Sequence, residues 1–189
     1  MSADPEHPGL SEIGLDSEDV FRGRLLHVKR DTVRLPDGSG ATREYIVHPG
    51  AVMIMPRLPD GKLLFERQFR YPHQRVFIEF PAGKIDAGED PLATAQRELR
   101  EETGYTAARW RYVATMHPLI TYSTEQIAIY AADGLTYVGA RLDAGEFVET
   151  FTASLEDALD WLDRGEVTDA KTMLGLLFLA REARSAGER

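Results

Sequence analysis

The stretch GKIDAGEDPLATAQRELREETGY, residues 83–105, decides how this chain is read. Asp90 is placed to cap a helix, Pro91 suits the first helical position, and Gly104 is placed to end the helix as the left-handed residue after its last turn. At about 100° per residue, Leu92, Ala95, Leu99 and Thr103 share one stripe, the face to be buried. Glu98, Glu101 and Glu102 gather on another. Like charges three and four positions apart cost a bare helix about 0.2–0.5 kcal/mol per pair, and these acids stand in the last turns, where the helix dipole favours cations. Arg97 offsets part of the repulsion through its i,i+4 contact with Glu101. Two explanations are open, a solvated charged face or a bound divalent cation, which wants several converging oxygens. The surroundings favour the cation. Gly83 opens a loop continued by Gly88 and Glu89 into the helix start, letting the backbone approach a ligand closely, with the carbonyl of Ala82 able to join the shell.

The rest of the composition narrows the function. With 189 residues, 43% of them hydrophobic and 28% charged, the expectation is an ordinary folded chain with one core and an appendage. No apolar run approaches the roughly 18 residues of a membrane span, and MSADPEHPGLSEIG has no stretch fit for a signal peptide, so a cytoplasmic protein with no membrane partner is expected. The absence of cysteine excludes a thiolate nucleophile, a disulfide framework and a Cys-bound zinc. His7, His27, His48, His73 and His117 are scattered without an HExxH pair, which argues against a zinc hydrolase. A net charge of −9 argues against nucleic acid, yet divalent cations can bridge an acidic protein to a small phosphorylated ligand.

Residues 1–17 read as a flexible lead-in. Residues 18–50 read as an N-terminal β extension, a hairpin of FRGRLLHVKRDTVRL and ATREYIVHP around the turn PDGSG, which must lean on the main domain or a second subunit to bury anything. In residues 51–189, AVMIMPRL, KLLFERQFRY, RVFIEF, WRYVATMHPL and EQIAIYAADGL read as strands, the last two flanking the loop ITYST. SLEDALDWLDRG, with Ser154 as cap, and TDAKTMLGLLFLAREAR read as closing helices, the stripe Met173, Leu174, Leu177 and Phe178 being core. Strands mixed with three helices indicate an α+β fold whose sheet is covered on both faces.

Gly83, five residues, Glu89, seven residues and then Arg97-Glu98-Leu99-Arg100-Glu101-Glu102-Thr103-Gly104-Tyr105 resembles the Nudix box, Gx5Ex7REUxEExGU, at every fixed position. GKIDAGED lacks the Lys-Ser/Thr of a P-loop, and GSGATR lacks the third glycine of a dinucleotide fingerprint. FERQFRY, IEFPAGKID, the STE of the later loop and the closing helices are similar to the ADP-ribose pyrophosphatase branch, over roughly residues 20 to 180. The resemblance implies an αβα sandwich with a mixed sheet, a Nudix hydrolase domain over residues 51–189, and a homodimer formed with the N-terminal strands. It also implies Mg²⁺-dependent hydrolysis of a nucleoside diphosphate sugar, with Mn²⁺ as a possible substitute.

Carried over by position, the resemblance makes Ala82 (backbone), Glu98, Glu101 and Glu102 metal ligands, the three glutamates being catalytic as well. Gly83, Glu89, Arg97 and Gly104 hold the motif together, Arg97 by orienting the glutamates. Glu125 stands where similar enzymes often carry the proton acceptor, the alternative being an exposed strand-edge acid. Arg70 is a candidate for a phosphate, or else a salt bridge. Glu79 is a candidate for the ligand or a nearby water, and Phe21 and Tyr71 for stacking on a base, or else core or dimer contacts. The loop reads Pro118-Leu119-Ile120-Thr121 where many members show glycine after the proline. That leaves ADP-ribose as first choice and GDP-mannose or another nucleotide sugar open.

Overall fold

A computed structural model describes residues 6–142 and 145–187. The chain divides into two compact units, one comprising residues up to Pro49 with Leu119–Gln126, the other Gly50–Pro118 with Ile127 onward.

In the first unit, β1 (Ile13–Arg22), β2 (His27–Arg34) and β3 (Gly40–Ile46) form an antiparallel meander in that order. This corrects the expected two-stranded hairpin. FRGRLLHVKRDTVRL is broken at Gly23–Leu26, where Gly23 N–H meets the Leu26 carbonyl at 2.8 Å, and residues 13–17 belong to a strand rather than to a loose lead-in. The signal was hidden because every residue of β1 is exposed, so no buried face imposes a period of two on its sequence. Backbone pairing with both neighbours builds the meander, and on its exposed side Arg30 meets Glu18 and Glu44, each at 2.9 Å. Segment 119–126 joins the same unit, with Thr124 N–H on the Ile46 carbonyl at 3.0 Å.

The second unit is built on a mixed sheet. Its main path runs β10 (Val148–Ala153), β5 (Leu63–Arg70), β4 (Ala51–Arg57), β9 (Ile127–Tyr137), β8 (Tyr105–Met116); β6 (Arg75–Glu79) pairs with β5 and β7 (Ala82–Lys84) with β4. Only β4 and β9 run parallel. Alternation along the central strands feeds two cores. Met53, Met55, Ile127 and Ile129 enter a cluster with Phe65, Phe80, Leu176 and Leu179, whereas Val52, Ile54, Tyr130 and Ala132 meet Ala95 and Leu99 on the other side. Three helices cover the faces: α1 (Pro91–Thr103), α2 (Leu155–Asp163) and α3 (Ala170–Gly187). This is the expected α+β layering.

The caps also match. Ser154 makes a capping box with Asp157, and α1 starts on Asp90 and ends on Gly104. Two short strands were not anticipated. β7 occupies what reads as the opening of a loop, because three residues carry no periodic signal, and β10 pairs with β5 along Val148–Ala153. Among the described residues no helix is long and apolar enough to cross a membrane.

Candidate active site

α1 is fixed at both ends. Asp90 accepts from Leu92 N–H at 2.9 Å and Ala93 N–H at 3.2 Å, satisfying donors that a first turn leaves open. Gly104 adopts φ +77° and gives its N–H to the Arg100 carbonyl at 3.0 Å. A side chain there would set its Cβ 2.5 Å from the Ala140 nitrogen. The chain after β9 closes over this end, Val138 N–H on the Gly104 carbonyl at 2.7 Å and Arg141 N–H on the Glu101 carbonyl at 2.9 Å. With Ala95 and Leu99 fully buried, the rotation of α1 is set, and with it the direction of its acids.

Arg97 gathers three of the motif carboxylates. Its guanidinium reaches Glu89 at 2.9 and 3.0 Å, Glu98 at 2.8 Å and Glu101 at 3.1 Å, with Nη2 also on the Lys84 carbonyl at 3.4 Å. The hydrogen bonds from Arg97 hold the Glu89 carboxyl down to about 2. Gly83 is needed where the loop passes Glu98, because a Cβ at that position would overlap the Glu98 carboxyl. Glycine thus lets the backbone and the acid share one small volume.

Glu102 lies deeper, at 7% exposure, and accepts from Ala82 N–H at 3.2 Å. Burial pushes its carboxyl well above the usual range, helped by the charges of Glu66, Glu98 and Glu146, in that order. Glu66 on β5 behaves alike: burial first and the Glu79 charge second push it up. Glu98 is raised too, mainly by burial. The pairing of Ala82 with Met53 holds the Ala82 backbone beside this end of α1.

Glu79, directly across the ladder from Glu66, has the opposite surroundings. Arg70 grips it with two bonds, at 2.7 and 2.8 Å, and Lys171 at the start of α3 contacts its second oxygen. Burial alone would raise Glu79, but the Arg70 bond and Lys171 outweigh it and the pKa is lowered. Lys171 is shared with Asp169 at 3.0 Å, and the Thr172 hydroxyl accepts from Phe80 N–H at 2.9 Å, so α3 holds the Glu79–Phe80 segment that leads to Ala82.

Of the residues singled out from sequence, Ala82, Gly83, Glu89, Arg97, Glu98, Glu101, Glu102 and Gly104 lie together around α1. Arg70 and Glu79 form an ion pair on the neighbouring strands. Tyr71 is exposed, just beyond Arg70. Phe21 and Glu125 belong to the other unit, where Glu125 stands 3.9 Å from His48. Sequence reasoning missed Glu66, Glu146, Asp169 and Lys171. The one available signal was a lone acid following Leu63-Leu64-Phe65, an expensive place for a charge.

The donor set suits a hard divalent cation: two buried carboxylates, Glu98 beside them and a backbone carbonyl, with no soft ligand. Among the described residues no three such side chains stand close enough as placed to hold an ion, because Arg97 draws Glu98 and Glu101 to itself. A hollow of about 660 Å³ lies against the outer side of α1, lined in part by Arg97, Arg100 and Glu101, and includes neither Glu98 nor Glu102.

Comparison with known proteins places the chain in a family. The NUDIX domain matches residues 47–177, and the nucleoside diphosphate sugar hydrolase N-terminal domain matches residues 15–46. The chain is 37% identical to an ADP-ribose pyrophosphatase of Bacillus subtilis (strain 168) over 172 residues, covering 90% of this chain and 93% of that protein. It is 35% identical to a methanol dehydrogenase activator of Bacillus methanolicus over 167 residues, covering 87% and 90%. A crystal structure of an ADP compounds hydrolase superposes with a TM-score of 0.83 at 24% identity, over 94% of this chain and 97% of that one, a likeness of fold. A domain match across most of the length, together with a full-length relative sharing more than a third of its residues, shows that the chain belongs to the NUDIX domain family.

Proposed function

We propose that this protein hydrolyses the diphosphate linkage of a nucleoside diphosphate sugar, with ADP-ribose, giving AMP and ribose 5-phosphate, as its first substrate. The observation that carries the reading is the pair of buried acids, Glu66 and Glu102, beside Glu98 and the Ala82 backbone; among the described residues no ion pair reaches Glu66 or Glu102, while Glu98 is held by Arg97. The ADP-ribose pyrophosphatase of Bacillus subtilis, similar over nine-tenths of the chain, supports the substrate.

Glu98, Glu102 and the Ala82 carbonyl would hold Mg²⁺, or Mn²⁺ in its place, with Glu101 reaching it through water. Bound there, the ion neutralises diphosphate charge, polarises the phosphoryl oxygens and acidifies a water. The residues of the chain do the rest. Arg97 sets the carboxylates in position, and Gly83 lets the backbone lie against them. Water attacks one phosphorus, the new P–O bond forming as the bridging P–O bond breaks, and a carboxylate takes the water's proton. Glu146 is the better candidate for that acceptor, since it is exposed while its charge acts on Glu66, Glu98 and Glu102. Glu125 is the second candidate. Arg70 is engaged by Glu79 and would have to exchange partners to meet a phosphate.

The N-terminal unit would form a homodimer in the cytoplasm. Support comes from β1, which exposes Ile13, Leu15, Val20 and Phe21 along one strand. Light scattering behind a sizing column tests the dimer. A panel of ADP-ribose, GDP-mannose, NADH, diadenosine polyphosphates and 8-oxo-dGTP, each with Mg²⁺ or Mn²⁺, tests the substrate. ADP-ribose should give the highest kcat/KM, and a dominant triphosphate activity would overturn the substrate class. Glu146→Gln and Glu125→Gln identify the acceptor, the true one losing kcat by about 100-fold or more with KM little changed.

A further inference from the structure

We infer that Glu66, a β5 residue outside the Nudix box, supplies a carboxylate oxygen to a divalent cation held jointly with Glu102. The inference rests on the metal-dependent reading above and extends its ligand set to a strand that the box does not include.

Three observations meet at Glu66. It is 3% exposed, and its Oε1 is sealed from solvent with no hydrogen-bond partner among the described residues. Ladder register sets it opposite Glu79 on β6 and Thr150 on β10, so it shares their face of the sheet. Its charge acts on Glu102, itself nine-tenths buried at the end of α1.

The basic groups in reach are committed elsewhere. Both bonds of the Arg70 fork go to Glu79, and Lys171 is divided between Glu79 and Asp169. A buried carboxylate oxygen needs a donor or a cation. Among the described residues Oε1 has no donor, and the oxygen is sealed from solvent. A hard divalent ion between Glu66 and Glu102 satisfies both acids at once, and oxygen ligands from two elements give it the convergence it prefers. Removing one carboxylate from such a shell should weaken binding by about 10–100-fold, the range seen when groups supporting a metal are lost.

The test is a titration of the full-length protein with Mn²⁺ alone, free Mn²⁺ being counted by electron paramagnetic resonance, for the wild type, Glu66→Gln and Glu66→Asp. The expected result is one bound ion fewer, or at least about 10-fold weaker binding, in Glu66→Gln, with a smaller loss in Glu66→Asp. The rise in melting temperature on adding Mn²⁺ should shrink in the same order. Equal Mn²⁺ binding by the wild type and Glu66→Gln would overturn the inference while leaving the proposed function standing. Failure of the wild type to bind Mn²⁺ would overturn both. Should Glu66→Gln fold poorly, Glu66→Asp decides: wild-type affinity in that variant also overturns the inference.

Discussion

Glu66 and Glu79 face each other across one rung of the same sheet, at 3% and 4% exposure, and yet their carboxyls shift in opposite directions. Burial penalises both. What separates them is that Glu79 holds Arg70 and Lys171, while among the described residues no ion pair reaches Glu66, which feels the charge of Glu146 and acts in turn on Glu102. The fold neutralises Glu79 with its own side chains, and on the proposed reading Glu66 is neutralised by a bound cation. Glu79 is read as architecture, tying β6 to the start of α3, and Glu66 as part of the cation site. A buried carboxylate by itself decides between these roles only through its partners.

Breaking Glu79 should do the most damage to stability. Glu79→Ala strands Arg70 and leaves Lys171 with Asp169 alone, and removing one partner of a buried ion pair costs about 3–5 kcal/mol, the low end applying here because Arg70 is partly exposed. Urea unfolding without metal measures it. Glu66→Gln should leave metal-free stability unchanged or raise it, since the amide needs no proton to stay neutral where burial disfavours a charge. Equal losses in the two variants would erase the distinction.

Arg97→Ala sharpens the contrast on the functional side. Loss of the guanidinium frees Glu89, Glu98 and Glu101 from one common partner, and kcat/KM should fall about 10–100-fold with the fold retained.

The two acids should also respond oppositely to pH. Glu66 and Glu102 are raised above the ordinary 4.5, so in the metal-free protein the folded state keeps protons that the unfolded chain has lost. Metal-free stability should then fall as pH rises from about 4.5 through neutrality, and added Mg²⁺ should restore more of it at higher pH. Glu79 and Glu89 are lowered, Glu89 to about 2, so their contribution is present above 4.5 and lost as pH falls below it. Melting temperatures across pH with EDTA and with Mg²⁺ check both limbs; a metal-free melting temperature that climbs between pH 6 and 8 would contradict the first.

The smallest effect calibrates the rest. Asp90→Ala removes the cap of α1 at the end away from both acids and should cost about 1 kcal/mol while leaving Mn²⁺ affinity unchanged.

Much of this was legible along the chain because it is local. The caps of α1, its buried stripe and the spacing from Gly83 to Tyr105 each depend on residues within a few turns of one another, and the structure has Asp90, Leu99, Arg97 and Gly104 acting as that spacing implies. What stayed hidden depends on pairing between distant segments. Lys171 meets Glu79 across 92 positions, and the charge of Glu66 acts on Glu102 only because the fold brings β5 and α1 near each other. β1 escaped for a different reason, since an entirely exposed strand has no inward face to write into its sequence.

Calorimetric titration of Mg²⁺ into the wild type and Glu102→Gln tests the cation site most directly. The wild type should bind Mg²⁺ with proton release, and Glu102→Gln should bind it at least about 10-fold more weakly. Identical titrations, or no binding by the wild type, would mean that the acids of α1 are a charged surface and not a metal site.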